Sequence, residues 1–435
     1  MISELSNKEQ QANVYFGTGK PTDASTVTPN TCLRDLNLNW KEKELPERVR
    51  TKHVHRLHPY LGKFIPQLVE IFLRKYFKPG MTVLDPFVGS GTTLVQANEL
   101  GINSIGLDIS AFNVLLSRVK TQKYDLAKVK VEIKDILVKL LDYVEKESKQ
   151  LSFSFFEECD SYGSLSTDNQ YLNDWFAPQA LKELLFYRGQ IKNYQYQDLL
   201  KVILSRSARS ARLTTHFDLD FPKKPQREPY WCYKHRRICT PTTTAHQFLK
   251  RYSFDTIRRL QDFQALRTNA TVKIIHGDSR KVSIPKINGV ITSPPYVGLI
   301  DYHDQHRYAY ELLGLKDKSS FEIGAAKDGS SKKARLAYQQ SIAEVFSRVC
   351  RSMPSGGYMI VIAGDRHDLY GKIADLCGVE VEAILQRNVN RRTGRRSSKF
   401  YESVFIWRKP SNPDHKNFSN ANPFSEKQGG RQWPL

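Results

Sequence analysis

Apolar positions along the chain follow two alternating rhythms. Short continuous apolar runs, the pattern of buried strands, end at an acid or a proline. Between them lie longer stretches in which apolar residues return at helical spacing. Runs at 81–85, 103–108, 272–278, 287–291 and 357–363 predict five strands, and 379–386 with 403–407 predict two more. Helical spacing over 67–76, 92–100, 126–150, 175–192, 196–212, 335–353 and 368–376 predicts the intervening helices. Acids close the first three strands at Asp85, Asp108 and Asp278. Strands alternating with helices imply an open α/β sheet, and ligands of such sheets sit at the carboxyl ends of the strands.

Several stretches break the rhythm. Residues 1–50 are polar, with Pro21, Pro29 and Pro46 interrupting any long helix, and predict a partly ordered polar N-terminal arm. Residues 126–270 carry helices only, with a basic, aromatic-rich segment at 223–237, and predict a helical insertion. Residues 319–333 are rich in Gly, Ser and Lys and predict flexibility. The tail from 410 to 435 is polar and predicts disorder.

Composition narrows the class. Sixty-six Lys and Arg against 45 Asp and Glu leave a formal charge of +21, which favours a polyanionic partner. Six cysteines in 435 residues do not make a disulfide framework, so reduced thiols and a cytoplasmic location are expected. No apolar run approaches membrane-spanning length.

Two loops carry the chemistry. After the first strand comes Asp85-Pro86-Phe87-Val88-Gly89-Ser90-Gly91-Thr92, whose glycines let backbone approach a ligand. A dinucleotide fingerprint would add a third glycine; its absence suits a cofactor without a pyrophosphate. Asp108, about 20 residues on, is placed for ribose hydroxyls. After the fourth strand comes Ser293-Pro294-Pro295-Tyr296, where two prolines take the chain stiffly off the sheet.

Together these loops resemble those of the DNA amino-methyltransferases, which use S-adenosylmethionine to methylate exocyclic base amines. The resemblance covers 51–125 and 271–409 as one catalytic domain. It implies a seven-stranded Rossmann-like sheet whose last strand is antiparallel, with 126–270 as a large, mainly helical insertion, possible home of target recognition. It further implies that Asp85, Phe87, Gly89, Gly91, Thr92 and Asp108 hold the cofactor, that Asp278 accepts from its adenine amine, and that Phe64, Ile65 and Pro66 enclose its methionine end. Ser293 and the Pro294 carbonyl would accept from the target amine, within a catalytic loop Ser293–Tyr296 whose Tyr296 stacks on a base flipped from duplex DNA. Ser-Pro-Pro-Tyr is more usual in family members acting on cytosine, so the resemblance implies an N4-cytosine enzyme of a restriction-modification system, with a cognate endonuclease acting separately. Adenine-N6 methylation, RNA base methylation and a catalytically inactive nucleic-acid-binding subunit stand as alternatives.

For DNA contact, Arg206, Arg209 and Arg212 recur every three residues, Lys234, Arg236 and Arg237 follow aromatics, and Arg391, Arg392, Arg395 and Arg396 crowd the loop before the last strand. The histidine tract 53–58 lacks ligand-spaced partners. Cys232, His235, Cys239 and His246 are irregular against the usual zinc pairs, so no metal is expected.

Overall fold

The computed structural model describes residues 13–153, 165–216, 218–219, 222–389 and 400–411. Its ten strands are β1 (Asn13–Phe16), β2 (Thr82–Asp85), β3 (Asn103–Asp108), β4 (Tyr230–Cys232), β5 (Arg237–Cys239), β6 (Val272–His276), β7 (Gly289–Thr292), β8 (Tyr358–Ala363), β9 (Glu380–Val389) and β10 (Phe400–Arg408). Eight form one sheet in the order β1-β9-β10-β8-β7-β2-β3-β6, and β4 and β5 pair separately. β10 runs antiparallel to both its neighbours, and the other pairings in the large sheet are parallel. This is the expected Rossmann-like α/β sheet with its antiparallel strand, and with one strand more than expected.

The extra strand is β1, which pairs with the free edge of β9 in the register Asn13↔Ala383 to Phe16↔Gln386. The sequence hid it because an edge strand needs no apolar alternation, and Val14 and Phe16 lie exposed. The rest of the arm is folded down: Val27, Leu36 and Leu38 are buried against the helix Pro66–Tyr76 and one sheet face. Ala24, Val27, Leu36 and Leu38 thus anchor the partly ordered arm to the core. The start of the arm, the loop 390–399 and the tail from 412 fall outside the described residues.

β2, β7 and β8 read as apolar runs because helices cover both their faces. Alternation along them divides the core. Leu84, Val290, Met359 and Val361 face the helices Lys332–Ser352 and Tyr370–Cys377. Val83, Ile291, Ile360 and Ile362 face Pro66–Tyr76 and Thr92–Glu99. The insertion between β3 and β6 builds a third core from the helices Leu126–Phe153, Pro178–Gln190, Gln197–Ala211 and His246–Gln264. That core is continuous with the helix Ala111–Thr121 and with Tyr308 to Leu312 beyond the Ser293 loop. The helix expected over 175–192 starts instead at Pro178, a residue suited to a first helical turn. Phe176 before it bridges to Arg212.

Candidate active site

The acid ending β2 is the joint of the site. Asp85 is fully buried. Its Oδ1 accepts from Thr292 Oγ1 at 2.7 Å and from the Phe87 amide at 3.2 Å, and its Oδ2 accepts from Thr93 Oγ1 at 2.7 Å. Thr93 opens the helix after the glycine loop, and Thr292 immediately precedes Ser293. One carboxylate therefore ties the two loops together. Burial pushes its pKa up to about 6, against the pull of those three donors.

The glycine loop is shaped by positive φ angles, +47° at Gly89 and +77° at Gly91. A Cβ at Gly89 would lie 3.1 Å from Tyr60 Oη, and one at Gly91 would lie 2.9 Å from Ser117 Oγ. The loop is braced from beneath by the helix Ala111–Thr121. Buried Lys120 donates to the Ser90 carbonyl at 2.6 Å, and Ser117 Oγ donates to the Gly89 carbonyl at 3.0 Å.

Asp108, ending β3, accepts from the Gly89 amide at 2.8 Å, the Ser110 amide at 2.9 Å and Asn113 Nδ2 at 3.2 Å. Burial again dominates and pushes its pKa up to about 6. Asp278 follows β6 and is gripped by Arg280 at 2.7 Å. Burial raises its pKa, but the bonds from Arg280 outweigh that and hold it below the usual range. Ser279 Oγ donates to the Pro86 carbonyl at 2.6 Å and fastens this loop to the glycine loop.

These loops enclose a cleft of about 810 Å³, a volume that takes in the solvent at its open side. Of the residues singled out in the sequence, Phe64, Phe87, Gly89, Thr92, Asp108, Asp278, Ser293 and Pro295 line it. Asp85, Gly91, Ile65, Pro66, Pro294 and Tyr296 do not. Asp85 sits behind the wall, Gly91 caps a helix, and Pro66 starts one. Tyr296 lies at the margin of the core, with its hydroxyl donating to Glu402 at 2.9 Å. Pro295 offers its carbonyl to Tyr338 Oη at 2.8 Å.

Much of the remaining wall was not singled out in the sequence: Tyr60, Asn113 and Glu322 among others. Tyr60 and Tyr302 stack with ring centroids 5.9 Å apart. Glu322 comes from the stretch expected to be flexible. It is bonded to the backbone and ring of buried His303, which orders that stretch.

The basic residues divide. Arg206 is buried, paired with Asp255 at 2.7 Å and seated over Tyr252. Arg212 is buried over Tyr308 and donates to the Leu219 carbonyl at 2.7 Å. Both are committed inside the protein, which corrects the reading of a DNA-facing stripe; Arg209 between them is half-buried. Lys234, Arg236 and Arg237 are exposed at the β4–β5 turn. Arg391, Arg392, Arg395 and Arg396 lie outside the described residues.

The histidines also regroup. His53 pairs with Glu99 at 2.9 Å, and the other oxygen of that carboxylate takes Lys52 at 2.6 Å. His246 bonds Glu183 at 3.1 Å, whereas His216 joins Cys232, His235 and Cys239, with ligand atoms all within 4.8 Å of one another.

Against known proteins, residues 3–118 match the family model described as DNA methylase, of the N6/N4 type. The chain is 39% identical to the type II methyltransferase M.MjaII of Methanocaldococcus jannaschii, over 83% of this chain and 81% of that one. The chain belongs to the DNA amino-methyltransferase family. It is 27% identical to the type II methyltransferase M.BsoBI of Geobacillus stearothermophilus, over 64% of this chain and 56% of the relative. It is 25% identical to M.MvaI of Kocuria varians, over 73% and 64%.

The methyltransferase's cofactor is S-adenosylmethionine, and the cleft fits it. The molecule offers ribose hydroxyls, amines and a cationic sulfonium. The cleft offers the carboxylates Asp108, Asp278 and Glu322, aromatic faces, and a glycine backbone without side-chain obstruction. Among the described residues no helix is long and apolar enough to cross a membrane.

Proposed function

We propose that this DNA methyltransferase modifies the exocyclic N4 amine of cytosine in duplex DNA, and that Ser293–Tyr296 is its catalytic loop. The observation that carries the reading is the Asp85 bridge, Thr93 on one carboxylate oxygen and Thr292 on the other, which sets Ser293 into the cleft that Gly89 and Asp108 line.

In this reading Asp108 accepts from the ribose hydroxyls of S-adenosylmethionine and Asp278 from its adenine amine, while Phe64 and Phe87 pack on its apolar surfaces. When bound, the cofactor supplies an electrophilic methyl group. The chain's own work is on the amine. Its lone pair is conjugated with the base ring, so the nitrogen must become pyramidal to attack. The Ser293 hydroxyl and the Pro294 carbonyl accept the amine hydrogens out of the ring plane and favour that change. Tyr296, its hydroxyl held by Glu402, is assigned the stacking face for the flipped base. The nitrogen gains a methyl and loses a proton to solvent, and orientation supplies much of the rate.

The choice of cytosine rests on the serine at 293, the residue more usual in cytosine-acting members. A restriction-modification role, with a separate endonuclease cutting unmodified sites, is supported by the type II description of all three relatives. Target recognition is assigned to the helical insertion and the loop before β10.

The test is Ser293→Ala and Tyr296→Ala in the full chain, with calorimetry of S-adenosylmethionine alongside transfer of labelled methyl to duplex DNA. Transfer is expected to fall by two orders of magnitude or more, by analogy with removal of a transition-state hydrogen-bond partner, with cofactor affinity within about threefold. Transfer retained in both variants would overturn the assignment.

A further inference from the structure

β4 and β5 span three residues each and stand apart from the large sheet. Trp231, Tyr233 and Ile238 on this hairpin point to solvent, 51%, 80% and 61% exposed. A two-stranded hairpin without an apolar face is marginal in water, so something other than burial must hold it. Its inward residues are Cys232 and Cys239, both buried and both free thiols.

We propose that His216, Cys232, His235 and Cys239 form a closed, structural Zn²⁺ site that fastens the hairpin to the helical insertion. Tetrahedral zinc with Zn–S near 2.3 Å and Zn–N near 2.0–2.1 Å separates a sulfur from a nitrogen by about 3.6 Å. Cys232 Sγ lies 3.6 Å from His216 Nδ1 and 3.5 Å from His235 Nδ1, and Cys239 Sγ lies 3.5 Å from His235 Nδ1.

The local backbone is wound for this arrangement. The His235 and Arg236 amides donate to the Cys232 carbonyl at 3.2 and 2.7 Å, and Arg236 takes φ +53°, a conformation unfavourable for a residue with a Cβ. That turn folds the His235 ring back over Cys232. His216 arrives from the segment after the helix Gln197–Ala211. Tyr230 Oη, 2.9 Å from His216 Nδ1, also accepts from the His216 amide at 3.0 Å and keeps that bond with a metal on the ring.

The charge balances as well. Two thiolates neutralise the dication. Four protein ligands leave no open position, the mark of a structural rather than a catalytic zinc.

The test is metal analysis of the full chain purified from zinc-supplemented cells and desalted. One zinc per chain is expected, lost in Cys232→Ser, Cys239→Ser and His216→Ala and kept in His246→Ala. Wild-type chain produced in cobalt medium decides the matter even if the cysteine variants do not fold: visible bands of tetrahedral cobalt with thiolate charge transfer are expected. No zinc with no such spectrum, a disulfide between Cys232 and Cys239, or zinc kept in His216→Ala but lost in His246→Ala would overturn the site.

Discussion

Asp85 shows how far a single residue departs from the role its motif suggests. It reads as a cofactor ligand, yet its oxygens are spent on Thr93, Thr292 and the Phe87 amide. Thr292→Val should therefore cost about 1.5–3 kcal/mol, the worth of a hydrogen bond to a charged group, in urea unfolding at pH 7.5. The loss should shrink below pH 6, where Asp85, with its pKa pushed up to about 6, is protonated. Asp108 shares that raised value, but its carboxylate lines the cleft. In the proposed binding mode, bonds from ribose hydroxyls favour the ionised form. Affinity for S-adenosylmethionine should therefore be flat above pH 7 and fall as pH drops through 6, toward tenfold per unit. Asp108→Asn should bind weakly at all pH values without that slope, as calorimetry between pH 5 and 8 would show. Asp278, held below the usual carboxylate range by Arg280, stays ionised throughout and does not blur the result. The types and order of these residues were legible in the sequence. Which ones reach the cleft was not, because that depends on which donors surround each carboxylate after folding.

At the scale of elements, strands with both faces covered were easy to read, and β7 lies where its apolar run implied. β1 was not legible, because its contribution is backbone pairing along an edge. The arm that follows it buries Leu36 and Leu38, 2% and 1% exposed. Leu38→Ala should destabilise the chain by about 2–5 kcal/mol in urea unfolding, where a loose arm would show no change. The arginine stripe failed for a geometric reason. Three-residue steps fall short of the helical repeat, so Arg206 and Arg212 diverge by about 120° around the axis. Arg212 also lies just past the last helical residue, Ala211. The exposed turn between β4 and β5 is the better candidate for phosphate. Changing Lys234, Arg236 and Arg237 to Glu should weaken DNA binding and reduce the slope of log affinity against log salt by about 2.7. An unchanged slope would remove this turn from the interface.

On the scale of the whole molecule, the sheet, the two loops and the acids at the strand ends form a cleft for a small cationic cofactor, and the helical insertion shares a core with the segment beyond the Ser293 loop. The α/β sheet and the pairing of the two motifs could be read from the sequence because each is local and spaced along one chain. The grouping of His216 with Cys232, His235 and Cys239 could not, since His216 is 16 residues from its nearest partner in sequence, and the set with His246 that the sequence offers is too irregularly spaced for zinc. The net charge of +21 fits a polyanionic substrate but selects neither base nor site. The most direct measurement is single-molecule sequencing of DNA from cells expressing the chain, read for modified bases, with digested nucleosides weighed by mass spectrometry. N4-methylcytosine at one recurring sequence, absent from cells expressing the Ser293→Ala chain, is the result expected. N6-methyladenine in its place, or no modified base from a chain that binds S-adenosylmethionine, would contradict the account.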